Sequence, residues 1–191
     1  MRKRFSFFLL LSCCALMFSV LSCSDSGDTR KESSSYLEKH SAVFAQELDL
    51  KQLSKTKLIP AAKRASDNWI EYLTVKSEIE RFGNYTLRDL IANRTTIAKA
   101  VERLQDSVNA PFQVIPVEAR INVLFTKAKV LEQYAKRSKV DAAKIEELGQ
   151  DIAQAFYNLN IQMNEVFYKR ERNFHFDMDR RQDSILKTEQ D

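Results

Sequence analysis

Apolar residues recur three and four positions apart along most of this chain, which is the spacing of one face of an α-helix. The pattern runs through four long stretches and predicts main helices at residues 60–82, 87–108, 116–137 and 140–187. No stretch alternates apolar and polar residues as a half-buried strand would. The chain has only three glycines and three prolines, and helix-forming residues dominate the rest. The sequence therefore predicts an all-α fold.

Capping residues mark several helix ends. Thr86 and Asp89 have the spacing of a capping box, in which each side chain bonds the other residue's backbone N–H. Ser138 and Asp141 repeat that spacing before the last helix. Gly83 follows the first main helix, at the position where glycine commonly ends one. Short connections of this kind predict an up-and-down four-helix bundle.

The last predicted helix, at about 70 Å, is twice as long as the preceding ones at about 33 Å, so half of it overhangs the bundle. A short helix at residues 36–50 is predicted to cover that overhang, in a bundle domain of residues 36–187 followed by a tail, residues 188–191. Asn160 and Asn164 flank the apolar seam and are predicted to face solvent. The contacts predicted for the cover are those of Leu37, Phe44 and Leu48 with Phe167, Phe174 and Met178. A homodimer that pairs two overhangs as a coiled coil is the alternative.

The N-terminus has a different pattern, with a basic head at residues 2–4, an apolar run at residues 5–21, and then Ser22 and Cys23. A basic head, an apolar middle and small residues before a break are typical of a secretory signal peptide. This one resembles a bacterial lipoprotein signal, with Cys23 in the place of the cysteine that carries the lipid. The apolar run is slightly short for a membrane-spanning helix, and an uncleaved anchor is the alternative.

The lipoprotein resemblance implies that residues 1–22 are removed by cleavage between Ser22 and Cys23, and that the Cys23 thiol carries a diacylglycerol. Residues 23–35 are polar and are expected to form a flexible tether between the lipid and the fold. Ser24-Asp25 is similar to the sorting signals of Bacteroidota lipoproteins. The chain is thus similar to small all-helical envelope lipoproteins of that group, and the outer membrane, on its periplasmic face or at the cell surface, is the expected location.

The charge balance bears on possible partners, and the cysteine count bears on disulfides. Three of the 30 basic residues lie in the signal, so 27 remain against 26 acidic residues. This near-neutral balance lacks the basic surface typical of nucleic-acid binding, so a nucleic-acid partner is not expected. All three cysteines lie at or before Cys23, so the remaining chain is predicted to contain no disulfide.

Catalytic signatures are missing. The only histidines are His40 and His175, and neither follows a glutamate by three residues as in the di-iron sites of helical bundles. Glu171 and His175 lie one helical turn apart, which suits a surface hydrogen bond as well as it suits a metal ligand pair. No phosphate-binding loop or nucleophile elbow is present. The sequence predicts a protein that is not an enzyme, with no cofactor and no metal.

Two apolar groups are candidate partner-binding residues. Phe112, Val114 and Ile115 lie in a loop that prolines hold extended, and they either cap the core or form an exposed docking patch. Phe174 and Phe176 lie on the predicted overhang. These residues favour a non-enzymatic envelope protein that binds another envelope protein or acts as a scaffold.

A second hypothesis is a small-molecule-binding or sensory bundle, with Trp69, Tyr72 and Arg94 lining a pocket between helices. Arg94 interrupts the apolar stripe of its helix. The side chain either extends to solvent along the helix surface or pairs with a buried acid or an anionic ligand.

Overall fold

The computed structural model describes residues 26–188, without the side chains of residues 26–31, 170–171, 173–177, 179 and 182–188. Every regular element in that range is helical, which confirms the all-α prediction. The helices are α1 (Ser26–Lys39), α2 (Ser41–Phe44), α3 (Pro60–Ser66), α4 (Ile70–Arg81), α5 (Leu87–Asp106), α6 (Ile115–Tyr134) and α7 (Ala142–Thr188), with short 3₁₀ turns at Phe82–Asn84 and Ala110–Phe112. Residues 1–25 and 189–191 lie outside the described range, so the predicted signal and the Cys23 site do too.

The last three predicted helices are confirmed as α5, α6 and α7, with ends displaced by a few residues. The predicted helix at 60–82 is interrupted, because α3 ends at Ser66 and α4 begins at Ile70. The Ser66 hydroxyl donates a 2.9 Å hydrogen bond to the carbonyl of Lys63. Such bonds from serine, aspartate and asparagine side chains compete with helix continuation. The interruption places Trp69 at the N-terminal end of α4 with a non-helical backbone.

The capping box at the start of α5 is confirmed. The Thr86 N–H donates to Asp89 Oδ2 at 2.9 Å, and the Asp89 N–H donates to Thr86 Oγ1 at 3.2 Å. The prediction of an analogous box from Ser138 and Asp141 before α7 is wrong. Asp141 is itself the capping residue, and its side chain accepts the Ala143 N–H at 2.8 Å. Gly83 lies in a 3₁₀ turn with no positive φ, so this end of the helix does not need a left-handed glycine.

Consecutive helices pack on each other from α4 to α7, and α3 packs on α7. Their facing sides enclose one apolar core, in which the aromatic members include Trp69, Tyr72, Phe82, Phe112 and Phe156. The irregular segments between the helices therefore lie on the surface of a single core.

The N-terminal segment takes a different course from the predicted one. Helix α1 begins at Ser26, inside the stretch for which a flexible tether is predicted, and residues 45–59 form no helix. The predicted cover over the overhang is wrong, because Leu48 packs beside Gly149, near the start of α7. Backbone pairing with residues 85–87 draws this segment to that end of the core.

Helix α7 has 47 residues, about 70 Å at 1.5 Å per residue. Val166 and Phe167 are the last of its described side chains that pack on the core. Every side chain described between Tyr168 and Arg181 is exposed, including Met178 at 49%. The side chains that the structure describes beyond Phe167 are thus exposed, as the predicted overhang requires. Within residues 26–188, none of the helices combines the length and the apolar character that crossing a bilayer requires.

Candidate functional site

Residues 45–59 form an irregular segment, here called the strap, that runs along the surface from α2 to α3. Its first part pairs with the start of α5, where the Leu48 N–H donates to the Tyr85 carbonyl at 2.9 Å and the Leu87 N–H donates to the Gln46 carbonyl at 3.0 Å. Leu48 and Leu50 are buried beneath it. Paired backbone and buried leucines therefore fix where the strap begins.

Two asparagines of α7 hold the second part of the strap. Asn164 accepts the Ile59 N–H at 2.9 Å and donates to the Lys57 carbonyl at 3.0 Å. Asn160, one turn earlier, donates to the Thr56 carbonyl at 2.9 Å. Both asparagines are buried, at 4% and 7% exposed, so the prediction that they face solvent is wrong. An asparagine pair one helical turn apart beside an apolar seam was the available signal, because asparagine is unfavourable inside a helix unless its amide is used.

Between the strap, α4 and α7 lies a groove of about 620 Å³, here called the strap groove. This volume is within the range of about 300–1,000 Å³ that is usual for small-molecule sites. The floor is apolar and aromatic, formed by Leu50, Leu58, Tyr72, Ile79, Phe156 and Tyr157. The groove is therefore the candidate functional site of the described residues.

The rim of the strap groove carries charge. Lys63 pairs with Asp67 at 3.3 Å, and Lys76 pairs with Glu80 at 3.1 Å. Lys55 and Lys57 of the strap are also part of the lining. Four lysines against two acids make the rim cationic.

Tyr72 joins the floor of the strap groove to the core. Its hydroxyl donates to Asn160 Oδ1 at 2.9 Å, in a buried position. Burial, with a smaller effect of the Glu80 charge, raises the pKa of Tyr72 well above its usual range. Burial also raises the pKa of Tyr157. Both phenols are therefore neutral at physiological pH and contribute no negative charge to the groove.

Trp69 and Tyr72, two of the three predicted pocket residues, do lie together. Their rings stack with centroids 5.6 Å apart, and the Phe112 ring also stacks on Trp69, at 5.5 Å. Trp69 is 3% exposed, and its indole N–H has no hydrogen-bond partner among the described residues. Tyr72 lines the strap groove, and Trp69 supports it from within the core.

The structure does not bring Arg94 to the other two predicted pocket residues. Arg94 is half-buried, and its Nη1 donates to the Ile91 carbonyl at 2.7 Å. It lines a separate groove of about 830 Å³ between α1 and α5, together with Leu37, Glu38 and Arg88. The strap groove is therefore formed without Arg94.

The three residues of the predicted partner-binding loop differ in burial. Phe112 is fully buried, and Val114 is half-buried against the core, so these two residues cap the core as one of the two interpretations predicts. Ile115 is 82% exposed. Phe174 and Phe176 lie on α7 beyond Phe167, and their side chains are outside the described set. Exposed apolar surface in this region thus comes from Ile115 and from α7.

No three His, Cys, Asp or Glu side chains within the described part of the chain lie close enough to share a metal ion. The side chains of Glu171 and His175, the candidate pair noted above, are outside that part.

Comparison with known protein families, with curated proteins and with solved structures finds no match to this chain. What the protein does must therefore be argued from its own residues.

Proposed function

We propose that this protein is a non-enzymatic, lipid-anchored helical protein of the bacterial cell envelope that binds another envelope protein through the C-terminal part of α7. One observation carries the proposal. The side chains described from Tyr168 to Arg181 are all exposed, and α7 continues 21 residues beyond Phe167, about 30 Å. A helix that extends so far past its own core is expected to be stabilised by a partner, because most helical stability comes from tertiary packing.

The body of the protein is proposed to be an up-and-down four-helix bundle, in which α3 and α4 together form the first helix. The packing of α4 on α5, α5 on α6, α6 on α7 and α3 on α7 supports this arrangement. Such a ring of neighbours is expected when short loops join antiparallel helices.

The anchor is proposed to be a diacylglycerol on Cys23, in the outer membrane. The cysteine lies three residues before the start of α1. Tyr36 and Phe44 line a groove with Tyr134 and Ala142, which lies near the start of α7. Phe167, by contrast, meets Phe112 at the far end of the core. The end of α1 and Phe167 therefore lie at opposite ends of the core.

Site-specific photocrosslinking in intact cells tests the partner proposal. A photoreactive amino acid at Tyr168 or Met178 is expected to capture one envelope protein. The same amino acid at Val123, which is 44% exposed on α6, is the matched control and is expected to capture none. Capture of a second copy of this chain would favour the homodimer instead, and equal yields at all three positions would refute the proposed surface. Metabolic labelling with a palmitate analogue, lost on Cys23→Ser, tests the anchor.

Small-molecule binding is a second candidate function, and the strap groove favours it. Gly83 lines the groove, and a Cβ added at this residue would meet no atom within 4 Å. Gly83→Trp should therefore fill the groove without disturbing the core. Native mass spectrometry of protein isolated from its own membranes is expected to show a bound small molecule in the wild type and none in Gly83→Trp. After the ligand has been removed from the wild type, the two proteins should unfold at the same temperature, because a bound ligand would by itself raise that of the wild type. If native and denaturing mass spectra give the same mass for the wild type, no small molecule is bound, which would contradict this function.

A further inference from the structure

The strap groove combines an apolar floor with a cationic rim, and only some of the rim lysines have a carboxylate partner. Lys63 and Lys76 have carboxylate partners, at 3.3 and 3.1 Å. Among the described residues, no carboxylate forms an ion pair with Lys55 or Lys57. Both lysines are exposed on the strap, at the edge of the groove. Two ammonium groups are thus available to a ligand that enters the groove.

Three neutral polar side chains in or beside the groove are already hydrogen-bonded within the protein. The Tyr72 hydroxyl donates to Asn160 Oδ1, and the Asn160 amide donates to the Thr56 carbonyl. Asn164 is occupied in both directions by the strap backbone. Besides the Thr56 and Tyr157 hydroxyls, a ligand meets the lysine ammonium groups, and these charged donors favour a negative charge over a neutral polar group.

We propose that the strap groove binds an amphipathic organic anion, with an apolar chain or ring system on the floor and a carboxylate or sulfate between Lys55 and Lys57. This inference rests on small-molecule binding, the second candidate function, and adds the chemical class of the ligand. Contact with the floor, formed by Leu50, Leu58, Ile79 and Phe156, removes apolar ligand surface from water, which stabilises the complex. The two lysines select the sign of the head group.

Hydrogen bonds to two helices hold the strap in place along the groove. The strap is bonded to α5 by backbone pairs near residues 46–48 and to α7 by Asn160 and Asn164. Gln150 adds a third contact with α7, a 2.8 Å hydrogen bond to the Asp49 carbonyl. A preorganised groove loses little conformational entropy on binding, which favours affinity for a small ligand.

Isothermal titration calorimetry of the full-length chain tests the proposal, with the protein held in a non-ionic amphipathic polymer because detergent would compete for the groove. The probes are dodecanoate, dodecyltrimethylammonium and acetate, each below its micelle concentration. Dodecanoate is expected to bind one to one. Dodecyltrimethylammonium, with the same apolar chain and the opposite charge, is expected to bind at least about tenfold more weakly, and acetate not measurably.

Variants locate the binding. Lys55→Glu with Lys57→Glu is expected to weaken dodecanoate about tenfold or more. Lys99→Glu, on the exposed face of α5 and outside the groove, is the matched control and should change the affinity less than about twofold. Gly83→Trp is expected to abolish binding.

Three results would overturn the inference. If both amphiphiles bind equally and Gly83→Trp blocks both, the groove binds small molecules but the anionic class is wrong. If the double lysine variant binds dodecanoate like the wild type, the assignment of the head group to the strap is wrong. If Gly83→Trp binds dodecanoate unchanged, the groove is not the site and small-molecule binding there fails too.

Discussion

Replacing Asn164 by alanine tests whether α7 holds the strap through side-chain hydrogen bonds. The substitution removes the acceptor of the Ile59 N–H at 2.9 Å and the donor to the Lys57 carbonyl at 3.0 Å. Both bonds join residues more than 100 positions apart, 105 and 107. The strap backbone has no replacement for them in the described structure.

The expected loss is about 2 kcal/mol, since each hydrogen bond contributes about 1 kcal/mol net. Alanine is a better helix former than asparagine by about 0.6 kcal/mol, which offsets part of that loss. Asn158→Ala on the same helix is the matched control, because it has the same propensity gain but loses only a 3.0 Å bond from Gln154. The propensity gain cancels between the two variants, and the half-buried Asn158 bond is taken as about 0.5 kcal/mol. Asn164→Ala should therefore be less stable than Asn158→Ala by about 1.5 kcal/mol.

Thermal unfolding followed by circular dichroism measures the difference. For a chain of this size about 1 kcal/mol shifts Tm by about 2–4 °C, so Asn164→Ala should melt about 3–6 °C below Asn158→Ala. Hydrogen exchange of the Ile59 amide should accelerate in Asn164→Ala alone, because exchange reports local opening. Equal melting temperatures for the two variants, with the Ile59 amide still protected, would refute the idea that Asn164 holds the strap.

Three further predictions follow from other parts of the fold. Phe112→Ala should cost about 3–5 kcal/mol in chemical unfolding, because the ring is fully buried. Ile115→Ala, at an 82% exposed position, should change stability by less than about 0.5 kcal/mol, and similar losses for both would contradict the capping role of Phe112. Gly149→Val should cost about 1–3 kcal/mol, because an added Cβ would lie 2.6 Å from a buried leucine methyl group. Gly83→Ala, with open space at Cβ, should not destabilise the protein. The opposite order of stabilities in urea unfolding would refute this packing. Hydrogen bonds from the Thr86 side chain and backbone lower the pKa of Asp89 below its ordinary 3.8. The stabilising effect of Asp89 is therefore complete above pH 3.8 and is lost as the pH falls through the lowered pKa. Asp89→Asn should flatten the acid limb of a pH–stability profile, and an unchanged limb would contradict the assignment.

Much of the helical architecture could be predicted from the sequence because helices form through local interactions. The spacing of Val117, Ile121 and Leu124 placed α6 to within a few residues, and these side chains are buried as the pattern requires. The capping box of Thr86 and Asp89 depends on groups three residues apart, so its geometry follows from local sequence. The length of α7 and its overhang also follow from an uninterrupted repeat.

The strap and its groove could not be predicted in the same way. The position of Leu48 depends on backbone pairing with Tyr85 and on the space that Gly149 leaves, and neither appears as a periodic pattern. The apolar pattern predicts that residues 36–50 lie along the far end of α7, and it fails there because apolar residues alone do not specify which apolar surface they meet. Asn160 and Asn164 were misassigned to solvent for a related reason, since their partners are backbone groups of a distant segment.

The sequence by itself determined the helical class of this protein, the approximate ends of its long helices and the length of α7, because hydrogen bonds and side-chain contacts within a few residues decide them. Only the tertiary structure decided that the strap runs along α7, that Tyr72 and Asn160 meet, and that lysines of the strap lie beside an apolar floor. Those features join segments about 90 to 105 residues apart in the chain, and a contact over that distance depends on how all the intervening helices pack.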